Sequence, residues 1–229
     1  MHDTLTGGVR FGLGMGGGGG VPTGGGLLVK GSLYSIVRLS NDLGLSLEAG
    51  LTSSPRGELR AAQVGAGLVW ALDGPRSSGV AVPPVRTEFG GGIEQYNAAR
   101  VDGSTRAMSL VTLRIDRFVS PNLYLTGQAH SAFAGGAGGF TSAFLGAGWW
   151  QPLSPRWHVA GELTGGAAGG GGVVTHGAVG QAMLYGGMQL TPAVAVRLGV
   201  GRIEALRGPL GSTVVNATLV FTYGVTAGN

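Results

Sequence analysis

The chain contains no cysteine and a single lysine, and only 11% of its 229 residues are charged. Without cysteine there are no disulfides, thiolate metal sites or thiol nucleophiles, a composition compatible with an oxidising compartment. The charged share is less than half of the roughly 25% usual in soluble domains, which disfavours a conventional water-soluble globule. The 15 basic residues are scattered singly, so the basic patch of a nucleic-acid binder is missing. Long apolar helical runs are missing as well. Residues 118 to 155 and 163 to 196 hold no Asp, Glu, Lys or Arg, but glycine pairs, prolines and Asn122, Gln128, Gln151, Gln181 and Gln189 interrupt them. A helical span needs about 20 consecutive apolar residues. Met1 to Gly8 shows no basic stretch leading into an apolar one, so no export signal is visible.

Glycine is what the chain has in excess, with 48 residues, about a fifth of the total, against roughly 7% in an average protein. These glycines follow no three-residue period and prolines number 10, which excludes collagen. A mean hydropathy of +0.27 with a net charge of +4 is the reverse of the signature of disorder. The formal GxGxxG match at Gly12 to Gly17 has no helix pattern after it and carries no dinucleotide site.

Apolar residues recur with period two. In Leu43-Gly44-Leu45-Ser46-Leu47-Glu48-Ala49-Gly50-Leu51 the odd positions are apolar and the even ones small or polar, the pattern of a strand with two unlike faces. The alternation returns at 123–130, 157–164, 194–200 and 215–223. Twelve segments are expected, near 8–16, 27–39, 43–53, 58–72, 85–97, 106–119, 122–133, 140–151, 156–168, 178–190, 193–205 and 213–225. Most match the ~9 to 11 residues or more that a tilted strand needs to cross a bilayer.

Two kinds of connection alternate. Leu39-Ser40-Asn41-Asp42-Leu43, Val119-Ser120-Pro121-Asn122-Leu123, Leu153-Ser154-Pro155-Arg156-Trp157 and Leu190-Thr191-Pro192-Ala193-Val194 read as reverse turns, since Pro fixes φ and Ser, Thr or Asn bonds the local backbone. The others are longer and glycine-rich, at 16–26, 98–105, 134–139, 169–177 and 206–212, with a proline-containing excursion at 73–84 as the exception. Unlike turns on alternate ends imply an up-and-down meander with two unlike rims. Trp70, Phe118, Tyr124, Trp149, Trp150, Trp157, Phe221 and Tyr223 fall near the tight-turn rim or the C-terminus, where aromatics form a girdle at a membrane interface.

On these features the chain resembles the bacterial outer-membrane β-barrel proteins, including an alternating apolar and aromatic last strand, Asn216 to Tyr223, although Gly224 to Asn229 follow where the family usually ends on an aromatic residue. The resemblance implies outer-membrane localisation in a Gram-negative bacterium, with tight turns facing the periplasm and glycine-rich connections facing outward. The expected architecture is all-β: one antiparallel transmembrane barrel over residues 1–229 with about twelve strands, within a range of 10 to 14. Inward glycines such as Gly12, Gly14, Gly65, Gly67, Gly90, Gly92 and Gly199 would let strands bend. Outward ones such as Gly91, Gly127, Gly146, Gly148 and Gly161 would leave a thin surface that another subunit could approach.

The inner face is expected to carry Arg10, Lys30, Glu48, Arg86, Glu88, Glu94, Arg114, Asp116, His130, His158, Glu162 and Arg197. Such a set either selects solutes in a polar pore or fills the lumen as an ion-pair network. Enzymatic chemistry is not expected: His130 and Ser131 are adjacent and point to opposite faces, and His158 and Glu162 lie about 13 Å apart along a strand. The histidines lack metal-ligand spacing, and no cofactor is expected. The function expected is a passive, porin-like channel with a charged lumen. One alternative is a structural barrel, plugged by its own side chains, that anchors or docks a partner in an envelope assembly. A second is a secreted glycine-rich β-protein that self-associates. The expected partners are membrane lipid and an envelope protein or further copies of the chain, not nucleic acid.

Overall fold

The computed structural model describes residues 5–16, 21–24, 26–40, 43–70 and 86–223. Each of the twelve expected segments overlaps one strand. The strands are β1 (Leu5–Met15), β2 (Leu27–Arg38), β3 (Leu43–Ser53), β4 (Arg60–Trp70), β5 (Thr87–Ala99), β6 (Thr105–Phe118), β7 (Leu123–Ala134), β8 (Thr141–Pro152), β9 (Trp157–Gly169), β10 (Gly177–Thr191), β11 (Val194–Ala205) and β12 (Gly211–Tyr223). The expected excursion at 73–84, the turn residues Asn41 and Asp42, residues 17–20 and 25 of the first glycine-rich connection and the tail after Tyr223 lie outside the described residues.

The expectation of one twelve-stranded barrel is corrected. The strands divide between two compact units. In the first, β1 to β4 form a four-stranded antiparallel meander; in the second, β5 to β12 form a closed barrel of eight. Closure is made by β12 against β5, from Val215↔Gln95 to Tyr223↔Thr87. Alternation of side chains could not reveal this, because it says which face a residue takes and nothing about which strand closes the ring.

The tight turns form as their residues dictate. Ser120 Oγ accepts the Leu123 amide at 3.0 Å, and Ser154 Oγ accepts the Trp157 amide at 3.1 Å. At the other rim the connections after β7 and β9 need glycine at positive φ, 91° at Gly135 and 56° at Gly171, a region that side chains disfavour.

Outside the barrel, Leu113, Leu145, Leu163, Leu184 and Leu198 are exposed and form a continuous apolar wall. Inside, glycines stand directly across from the bulkiest side chains. Gly148 pairs with Tyr124, Gly187 with His158, Gly199 with Tyr185 and Gly90 with Arg114. At each of these a Cβ would run into the paired side chain. Glycine in this barrel is therefore space for a neighbour's large group, since close-packed interiors admit no overlap. Two glycines change face relative to expectation: Gly146 and Gly148 point inward, because β8 puts its even-numbered residues, Ser142 and Phe144 among them, inside. Gly91, Gly127 and Gly161 face outward, where a Cβ would meet only leucine side chains at ordinary contact distance.

This arrangement predicts a contrast between two identical substitutions. Gly148→Ala should cost about 1–3 kcal/mol through overpacking against Tyr124, whereas Gly161→Ala on the outer face should change stability little. Urea unfolding followed by the mobility of folded and unfolded forms on a gel measures both, and equal midpoints would contradict the assignment.

Candidate functional site

The alternation of β5 to β12 delivers eight of the twelve expected inner-face residues to the barrel interior: Glu88 and Glu94 from β5, Arg114 and Asp116 from β6, His130 from β7, His158 and Glu162 from β9, and Arg197 from β11. All eight are buried. Arg86 precedes β5 at the tight-turn end, where Nε donates to Glu88 Oε1 at 2.9 Å. Its guanidinium carbon lies 4.2 Å and 4.3 Å from the ring centres of Phe118 and Trp150. The remaining three, Arg10, Lys30 and Glu48, belong to the four-stranded unit and pair with one another there, Arg10 Nη1 lying 2.9 Å from Glu48 Oε2.

Asp116 is the hub of the interior, fully shielded from solvent. Its carboxylate accepts from Arg114 Nη2 at 2.9 Å, from Arg197 Nη1 at 3.0 Å and from Thr126 Oγ1 at 2.8 Å. Arg114 also pairs with Glu162, and Arg197 with Glu88. Glu162 accepts further from the Tyr124 hydroxyl at 3.1 Å and from Gln128, while Tyr185 Oη accepts from Arg114 at 3.1 Å. Arg86, Arg114 and Arg197 thus balance Glu88, Asp116 and Glu162. Desolvated charges persist when paired and hydrogen-bonded in this way. Glu94 sits apart from this cluster, held by Gln181 Nε2 at 3.2 Å and Asn216 Nδ2 at 3.3 Å, with His130 Nδ1 3.3 Å away.

Toward the glycine-rich rim the interior is apolar. Tyr96, Met108, Leu110, Phe140, Phe144 and Ile203 pack into one cluster with almost no solvent exposure. The connections close over it. Buried Arg100 donates to the carbonyls of Gly135 at 3.0 Å and Gly171 at 3.4 Å, and the Val101 amide bonds the Gly172 carbonyl at 2.9 Å. The barrel is filled from a polar half to an apolar half, as the small radius of eight strands allows.

The aromatic set divides. Trp149, Trp157, Phe221 and Tyr223 on the barrel, and Trp70 on β4, are exposed and suit a girdle. Phe118, Tyr124 and Trp150 do not: they occupy inward positions of β6, β7 and β8, with Phe118 and Tyr124 buried, and they stack at the tight-turn end (Phe118 to Tyr124 5.3 Å, Phe118 to Trp150 6.2 Å). Proximity to a rim did not distinguish the two groups, but parity with Thr126 or Phe144 on the same strand does. The same parity would have found Gln128, Tyr185, Gln181 and Asn216, which the charge-based reading left out of the network. Among the described residues no group of His, Asp and Glu has the arrangement of a metal site.

At the glycine-rich rim, exposed Asp102 accepts from the Ser104 hydroxyl at 2.6 Å and amide at 2.9 Å, and from Arg106 Nη2 at 2.8 Å. The Ser104 hydrogen bonds, then Arg106, hold its carboxyl below the ordinary aspartate range.

No protein-family model matches this chain, and no curated protein does. Among solved structures it is similar to a designed transmembrane β-barrel (13% identity, 62% of this chain and 98% of that one, TM-score 0.44). It is also similar to OprB of Pseudomonas putida (11% identity, 85% and 59%, TM-score 0.39) and to an outer-membrane channel of Pseudomonas putida F1 (15% identity, 97% and 99%, TM-score 0.29).

Two outcomes follow from the geometry. Arg197→Met should cost about 3–5 kcal/mol, because it leaves Glu88 and Asp116 short of a buried partner. Arg10→Met, on a half-exposed pair, should stay within about 1 kcal/mol; urea midpoints separate the two. At the rim, a depressed carboxyl pKa stabilises the turn at neutral pH and loses that contribution as pH falls through the lowered value. Protection of the Ser104 amide from hydrogen exchange, corrected for intrinsic rate, should therefore drop only below the ordinary aspartate range. Asp102→Asn should remove this acid dependence.

Proposed function

We propose that this protein is an integral β-barrel of a bacterial outer membrane and that its eight-stranded unit is a sealed structural body, the plugged reading of the two membrane alternatives. The observation that carries this is the combination of an apolar outer wall with an interior in which Asp116, Arg114, Arg197, Glu88 and Glu162 satisfy one another. In hydrocarbon every backbone polar group must be paired within the protein, and a closed ring of strands does this. The same closure leaves β5 to β12 no edge from which a fibre could grow, so the secreted self-associating alternative keeps only the edges of β1 and β4. Charged side chains that form a pore constriction need a solvated path beside them. Here they are buried, with a packed apolar cluster on the rim side.

The channel reading keeps support from a different place, the polar face of β1 to β4. Arg10, Lys30, Glu48 and Gln63 border a hollow of 290 Å³ there, floored by Gly65 and Gly67. Passive passage of small polar solutes belongs to that face.

Two measurements test the proposal. The protein should require detergent for extraction and should migrate on an SDS gel differently before and after heating; a soluble monomer in plain buffer would contradict the membrane assignment. In planar bilayers, Glu94→Gln and Arg114→Met should leave any conductance and its ion selectivity unchanged. A shifted reversal potential in either variant would mean that ions pass through the eight-stranded interior.

A further inference from the structure

The four-stranded unit is a fragment of a barrel wall. One face carries Val9, Phe11, Leu33, Leu51, Val64 and Leu68, all exposed, Phe11 at 82% and Val64 at 88%. The other carries Arg10, Lys30, Glu48, Thr52 and Gln63, joined by short polar contacts. Among the described residues β1 and β4 each have one neighbouring strand, so both outer edges are unpaired. An antiparallel edge strand directs the N–H and C=O groups of about every second residue outward. On the membrane reading proposed above, on which this inference rests, those groups need a strand beside them. The eight-stranded unit has none to offer, since each of β5 to β12 already has two neighbours.

We propose that the missing strand comes from a second copy of this chain, with β1 of one copy hydrogen-bonded to β4 of the next in a ring closed head to tail. The two edges suit one another. Both strands are 11 residues long. In a four-stranded meander they run in opposite directions, so joining them continues the antiparallel order, and the apolar and polar faces continue across the seam. The polar face of β4, from Ala61 through Gln63, Gly65 and Gly67 to Val69, carries no charge to oppose Arg10.

The packing rule of the eight-stranded unit supports the same seam. There, the inward glycines are covered by a bulky group or the backbone of an adjacent strand. On β1 and β3 of the small sheet the rule holds at Gly8, which faces Tyr34, and at Gly50, which faces Ser32. Gly14 on β1 and Gly65 and Gly67 on β4 break it, with nothing within 4 Å of a Cβ. Gln63 on β4 has an Nε2 without an acceptor. The uncovered positions lie on the two edge strands, whose outer neighbours are absent, and at β4 the side chain that would cover them is Arg10 of a second copy. Two copies already give eight strands, the number that closes in the other unit.

Light scattering of the full-length protein in detergent is the first test. The protein mass should be a whole multiple, two or more, of the 22.9 kDa chain. Because the chain has no cysteine, Arg10→Cys paired with Gly65→Cys or Gly67→Cys should, on mild oxidation, produce disulfide-linked dimers and higher species on a non-reducing denaturing gel. A detergent-requiring monomer without intermolecular links would overturn this inference and leave the membrane assignment standing. In a further variant, a disulfide within one chain between Phe11→Cys on β1 and Ala217→Cys on β12 would also overturn it, by showing that the edge is closed internally. A monomer soluble without detergent would remove the membrane reading itself.

Discussion

Asp116 ties the barrel interior together. It accepts from Arg114 on its own strand, from Thr126 on β7 and from Arg197 on β11, and through the two arginines it is joined to Glu162 on β9 and Glu88 on β5. Charges so deeply buried are tolerated only when each is met by an opposite charge and by hydrogen bonds. These pairs cross the ring rather than join neighbours: β6 reaches β9 and β11, and β11 reaches β5, so they tie opposite parts of the wall together. The β12 to β5 seam is bridged by Asn216 to Glu94 and by Ser212 Oγ, which accepts the Asn97 amide at 3.1 Å.

The glycine content is a consequence of this crowding. An eight-stranded interior has little more room than its side chains need, yet it holds two arginines, two histidines and two tyrosines at neighbouring levels. Each of Arg114, Tyr124, His158 and Tyr185 lies over a cross-strand glycine that yields the volume. The charged groups and the missing side chains are two halves of one packing solution. Apolar and polar faces then separate by strand parity alone, with Leu113, Ile115 and Leu145 outside and Arg114, Asp116 and Phe144 inside.

Much of this was legible in the chain. The period of two located twelve strands and put Glu88, Glu94, Arg114, Asp116, His130, His158, Glu162 and Arg197 on a common face. The Ser-Pro turns at 120 and 154 formed as their residues require. What the alternation could not carry was closure. Leu43 to Leu51 and Leu123 to Ala129 alternate alike, but the first run belongs to an open sheet and the second to a sealed ring, and the difference lies in register between strands far apart in sequence. Phe118, Tyr124 and Trp150 were misplaced for a related reason. An aromatic near a strand end reads as an interface residue until its parity is set against that of its neighbours. Nor does composition separate a charged pore from a charged plug, since both need Arg and Glu facing inward. Only the distances between them decide it.

The sealed core depends on closure of the ring between β5 and β12. Ile93 and Ala217 face each other across that seam on its outer side, and cysteines introduced at both positions of the otherwise cysteine-free chain should form an intramolecular disulfide in the folded, detergent-solubilised protein. A monomer whose mobility changes on oxidation, with both thiols lost, is the expected result. Free thiols at both positions, together with a disulfide between Ala217→Cys and a cysteine placed on β1 in a second variant, would show that the wall contains all twelve strands and that its interior is wider than the sealed core described above.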